Sequence, residues 1–120
     1  MSDEPDPSEK GAPRPRASRV PIDADLTFWR DGNHGEGRLV NLSSTGFYTE
    51  AESPAPVGSR LEVNFTLPHD RSGKIVTGEA LVVRRETGGA PGFGARFFRL
   101  PKAASKMIEE FLARAARRRS

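Results

Sequence analysis

Arg60-Leu61-Glu62-Val63-Asn64-Phe65-Thr66-Leu67 alternates without a break, with Leu61, Val63, Phe65 and Leu67 on one side and Arg60, Glu62, Asn64 and Thr66 on the other. Successive side chains of a strand point to opposite faces, so this stretch reads as a β-strand with one buried and one wet face. The strand is bounded by turn-forming segments. Ser53-Pro54-Ala55-Pro56-Val57-Gly58 precedes it as a loop, because proline cannot donate to a ladder, and Pro68-His69-Asp70-Arg71-Ser72-Gly73 follows it as a turn.

Upstream, the same period of two places Val20, Ile22, Ala24, Leu26 and Phe28 on one face and Asp23, Asp25, Thr27 and Trp29 on the other. Asp31-Gly32-Asn33 is a strong turn signal, after which Glu36 to Leu42 reads as a second strand. Asn41-Leu42-Ser43-Ser44-Thr45-Gly46 is a polar turn between apolar pairs, and a short third strand, Phe47 to Ala51, leaves it. Asn and Ser side chains can bond neighbouring backbone or a ligand edge, and Gly46 is expected to take a positive φ in the turn.

Downstream, Lys74 to Arg85 reads as a long strand in which Gly78 suggests a bulge, since the apolar residues are expected to change face around it. Gly88-Gly89-Ala90-Pro91-Gly92 turns the chain into a last strand from Gly92 to Phe98. Six strands with no helix between them predict an antiparallel barrel or sandwich. A helix is expected from about Pro101, with Met107, Ile108, Phe111, Leu112 and Ala115 forming an apolar stripe and Lys106, Glu109, Glu110 and Arg114 elsewhere. An end or side of the barrel would cover this stripe, or a partner protein would. Arg117-Arg118-Arg119 suits the negative end of the helix dipole.

The chain of 120 residues fits one domain, carries a net charge of +3 and contains no cysteine, which excludes disulfides, thiolate metal sites and a thiol nucleophile. Residues 1–18 hold Pro5, Pro7, Pro13 and Pro15 among acids, Ser and Gly, and are expected to form a disordered arm whose second half turns basic through Arg14, Arg16 and then Arg19. These arginines are either solvated tail charges or an anion clamp, since guanidinium offers planar donors to phosphate and stacks on bases. The first residues lack the apolar core of a signal peptide and no run is long enough to span a bilayer, so a cytoplasmic protein without membrane insertion is expected.

The inventory does not favour an enzyme. His34 and His69 are the only imidazoles, each in a predicted turn and neither with a second ligand at metal spacing, so no metal site is expected. Asp23 and Asp25 share a strand face with nothing else to mark an active site, and Gly88 to Gly94 matches no phosphate-binding loop. Nucleic acid is disfavoured as a partner because the aromatic residues fall on apolar alternations and not on an exposed basic face.

Arginines just before a first strand, then Asn41-Leu42-Ser43-Ser44-Thr45-Gly46, then antiparallel strands ending in Gly92-Phe93-Gly94-Ala95-Arg96-Phe97, together resemble the PilZ domain family over residues 14–100. Pro56-Val57-Gly58-Ser59-Arg60-Leu61 and Thr77-Gly78-Glu79-Ala80 add to the likeness. The resemblance implies an all-β core, a six-stranded antiparallel split β-barrel over residues 19–100 with one C-terminal α-helix over 101–120. It also implies a ligand, the bacterial second messenger cyclic di-GMP, and no cofactor. By the same resemblance Arg19 matches the second arginine of the family's Arg-x-x-x-Arg arm, Asn41 and Ser43 would contact guanine, and Gly46 would permit the turn. The position of the first motif arginine is Pro15, with Arg14 and Arg16 one step to either side. Two functions are therefore implied. In one, Arg14, Arg16 and Arg19 close over cyclic di-GMP and the domain passes the signal to a protein partner; in the other, a degenerate module binds no nucleotide and acts as an adaptor through protein contacts, with the Met107, Ile108, Phe111 and Leu112 stripe or a barrel edge as its surface.

Overall fold

A computed structural model of the chain describes residues 19–68 and 72–119. The expected disordered arm, Arg14, Arg16 and His69 lie outside the described residues. Six strands, β1 (Val20–Arg30), β2 (Asn33–Leu42), β3 (Gly46–Glu50), β4 (Arg60–Thr66), β5 (Ile75–Glu86) and β6 (Gly92–Arg99), precede one helix, α1 (Lys102–Arg119). Every pairing is antiparallel, and the order β1-β2-β3-β6-β5-β4 closes through β1 against β4 into a barrel. The sheet therefore has no free edge along that seam.

The alternations that predict the strands are the ones the barrel buries. Leu61, Val63 and Phe65 of β4 point inward with Leu26 and Phe28 of β1, and Phe47 and Phe93 are fully enclosed. Phe93 packs edge-on against Phe28 at a ring separation of 5.1 Å and an interplanar angle of 83°. Asp31 and Gly32 form the two-residue link between β1 and β2, with φ of 51° and 82°. Two successive positive φ values match the twist of a tight hairpin, which is why Asp-Gly occurs there. His34 lies within β2 opposite Trp29, and not in a turn, because this short link starts the ladder at Asn33.

Gly78 does not switch the face of β5. The inward phase runs unbroken through Val76, Gly78, Ala80 and Val82, and the register shifts against β6 fall after it, between Glu79 and Ala80 and between Val82 and Arg84. A Cβ at Gly78 would come within 2.6 Å of Leu100 Cδ2. The glycine thus makes room for the side chain that leads β6 into α1.

The helix begins just after Pro101, whose carbonyl accepts the Ser105 N–H at 3.0 Å. Ala104, Ile108, Phe111 and Ala115 recur at helical spacing and join the barrel core, with Met107 and Leu112 packed against it. With Ile108 only 1% and Phe111 only 4% exposed, the apolar stripe is covered by the chain's own barrel and does not present a free docking face. Burial of such a stripe stabilises the helix more than its intrinsic propensity does.

Candidate functional site

The polar turn after β2 is built by one hydroxyl. Ser43 is 2% exposed, and its Oγ accepts the backbone N–H groups of Thr45 and Gly46, each at 3.2 Å. The Ser43 N–H donates back to the Gly46 carbonyl at 2.8 Å, and the Phe97 N–H ties the turn to β6 through the Thr45 carbonyl at 2.9 Å. A short hydroxyl side chain can meet backbone donors two and three residues ahead, which explains a Ser at this place. Ser43→Ala is expected to cost about 1–2 kcal/mol, because two N–H groups lose their acceptor. Urea unfolding measures this, and an unchanged midpoint would contradict the assigned role.

Gly46 is required for a different reason than a turn conformation. It is absent from the residues with positive φ, and instead it pairs with Arg96 so closely that a Cβ would stand 2.3 Å from the Ala95 carbonyl oxygen. Backbone cannot yield as a flexible side chain does. The glycine therefore permits the approach of β3 to β6 directly beneath the turn.

Asn41 reaches solvent through a register irregularity. Leu39 and Leu42 are both buried although three positions apart, because β2 carries an extra residue against β3 between Leu39 and Asn41. A bulge of this kind re-aims a side chain. Asn41 Oδ1 accepts a hydrogen bond from Arg19 Nη1 at 2.7 Å, so the last arginine of the arm stands on the polar turn. Arg19 is exposed, and among the described residues neither Arg19 nor the Asn41 amide nitrogen has another side-chain partner.

Three of the residues singled out in the sequence, Asn41, Ser43 and Gly46, thus share one turn, and Arg19 joins them from the start of β1. Their places differ: Arg19 and Asn41 face outward, while Ser43 and Gly46 shape the backbone below. Elsewhere on the outer face, Arg38 bridges Asp23 at 2.8 Å and Asp25 at 2.7 Å, so those two carboxylates share one guanidinium from the neighbouring strand. Such exposed pairs contribute little stability. Among the described residues no group of three or more His, Asp or Glu side chains is placed to hold a metal ion. No helix among them is long and apolar enough to cross a membrane. Tyr48, which sequence reasoning did not single out, pairs with Asn41 on the same outer face, and Arg84 of β5 stands over the Tyr48 ring; the linear hint was Gly94 in the Gly-x-Gly-Ala-x-Phe stretch.

Comparison with known proteins gives a consistent result. The family profile of the PilZ domain matches residues 13–114. No curated protein matches the chain in sequence. Among solved structures, the chain is similar to the Bacillus subtilis inhibitor of motility MotI/DgrA, with a TM-score of 0.77 and 14% identity over 90% of this chain and 54% of that one. It is also similar to the PilZ domain of Escherichia coli YcgR with c-di-GMP, with a TM-score of 0.64 and 17% identity over 88% of this chain and 94% of that domain. A third likeness is to Borreliella burgdorferi PlzA in complex with c-di-GMP, with a TM-score of 0.61 and 12% identity over 87% and 42% of the two chains. The chain spans about half the length of MotI/DgrA and nearly all of the YcgR domain. At these identities the likeness is one of fold.

Proposed function

Because the chain belongs to the PilZ domain family, we propose that it is a bacterial receptor for cyclic di-GMP that binds the messenger on the outer barrel face at Arg19 and Asn41 and transmits its presence to a protein partner. The observation that carries this reading is the 2.7 Å bond from Arg19 to Asn41. It joins the residue type that grips phosphate or stacks on a base to the residue type that pairs with base edges, at the place where the arm enters the barrel. With Asn41 Oδ1 engaged by Arg19, the Asn41 amide N–H groups are left to donate to guanine acceptors. Ser43 and Gly46 serve the same site by holding the turn and its backbone. Arg14 and Arg16 complete the clamp in this reading, since an open barrel face leaves a dianionic ligand exposed unless cations close over it. The reading implies a cytoplasmic, non-enzymatic module.

Pro15 favours one second reading, in which the arm cannot complete the clamp and the domain works by protein contacts alone. Its surface would be on the barrel exterior, where Val83 and Phe98 are exposed, because the helix stripe is covered. Adding cyclic di-GMP to isotope-labelled protein separates the two. The amide signals of Leu42 to Gly46 are expected to shift and saturate with ligand. Shifts confined to the helix, or none, would contradict nucleotide binding at the turn.

A further inference from the structure

Asn41 does not stand alone on the outer face. The register sets Asn41 beside Tyr48, Tyr48 beside Gly94 and Gly94 beside Arg84, a row crossing β2, β3, β6 and β5. Phe47, Thr49, Phe93, Ala95 and Val82 point into the core on either side of that row, so Tyr48, Gly94 and Arg84 belong to the exterior. No stretch of sequence contains this juxtaposition, because β3 and β6 are neighbours only in the closed barrel.

The Arg84 guanidinium does not extend into solvent from its own strand. It leans back over β6 and sits above the Tyr48 ring, with its central carbon 5.1 Å from the ring centroid. Gly94 makes this possible: a Cβ there would lie 3.6 Å from both Arg84 Nε and Tyr48 Cδ2, and any larger side chain would fill the path that Arg84 takes. Among the described residues Arg84 has no carboxylate partner, and its guanidinium meets the Tyr48 ring. An unneutralised guanidinium is thus held over β6, two strand spacings, roughly 10 Å, across the sheet from Asn41. The phenol ring lies on one side of it, and the residue is otherwise exposed to solvent. A cation fixed in this way loses little further freedom on meeting a ligand.

We propose that the Tyr48–Arg84 stack is the second half of the nucleotide site, with one purine of the cyclic dinucleotide stacking on the side of the Arg84 guanidinium away from the phenol. The inference rests on the nucleotide reading above and adds to it the residues that bind the far part of the ligand. It accounts for a purine and not merely an anion, since the planar guanidinium over an aromatic ring continues as a stack that an ammonium could not.

Calorimetric titration of the full chain with cyclic di-GMP tests it through Arg84→Ala, Arg84→Lys and, as a control for net charge, Arg30→Ala at the distant β1–β2 hairpin. Arg84→Ala is expected to weaken binding roughly tenfold or more, as loss of one base stack does. Arg84→Lys is expected to stay near the alanine variant, and Arg30→Ala near the unsubstituted chain. Tyr48 is the chain's one tyrosine, so its ring signals in NMR report directly and are expected to shift when the ligand binds. Affinity unchanged in Arg84→Ala, full rescue by Arg84→Lys, an equal loss in Arg30→Ala, or an unmoved Tyr48 signal would each overturn the stack while leaving Arg19 and Asn41 as the site. Absence of binding by the unsubstituted chain would instead overturn the nucleotide reading and this inference with it.

Discussion

Phe93→Ala is expected to lower the unfolding free energy by about 3–5 kcal/mol, the range for emptying a fully enclosed aromatic position. Phe93 is 0% exposed and meets Phe28 edge-on at 5.1 Å and Phe47 at 6.3 Å. It therefore links β6 to β1 across the interior and to β3 beside it. The wall of the barrel cannot close over the void, because the strands are held by ladders on both sides. Against a total stability of about 5–15 kcal/mol for a domain of this kind, the loss is a large fraction. Chemical denaturation reads it directly; a change below about 1 kcal/mol would mean that Phe93 is not the central packing element described here. The same substitution would loosen the β3–β6 pairing on which the turn rests.

The sequence reveals the strands because each buries one face, and a period of two survives in Val20 to Phe28 and Leu61 to Leu67 without knowledge of neighbours. The helix stripe is equally plain, since Ile108 and Phe111 must find cover. What the covering surface is depends on closure of the barrel, which pairs β1 with β4 and β3 with β6 across long stretches of chain. Gly78 and Gly46 show the same limit. Both look like conformational glycines in a linear reading, yet each is required by an atom distant in sequence, Leu100 Cδ2 and the Ala95 carbonyl oxygen. Ser43 is legible as a turn residue, but its burial is not, because that follows from Phe97 tying the turn to β6. Arg19 and Asn41 are visible individually through the resemblance; the bond between them needs the bulge that turns Asn41 outward. Tyr48 and Arg84 were missed for the same physical reason, being neighbours only through strand register.

Arg19→Ala is expected to weaken cyclic di-GMP binding by roughly tenfold or more, because a charge-assisted hydrogen bond is worth about 1.5–3 kcal/mol. Its effect on folding is expected to stay within about 0.5 kcal/mol, since the side chain is exposed and its one bond to Asn41 is on the surface. A large loss of affinity with unchanged stability separates a ligand contact from a structural one. Loss of both together would make Arg19 a structural residue of the barrel entrance.

Calorimetric titration of the full chain with cyclic di-GMP at moderate salt, run beside Arg19→Ala, tests nucleotide binding at Arg19 and Asn41 most directly. Saturable heat at micromolar ligand, reduced at least tenfold by the substitution, is the predicted result. No heat at tens of micromolar ligand, or equal affinity in the two proteins, would contradict it.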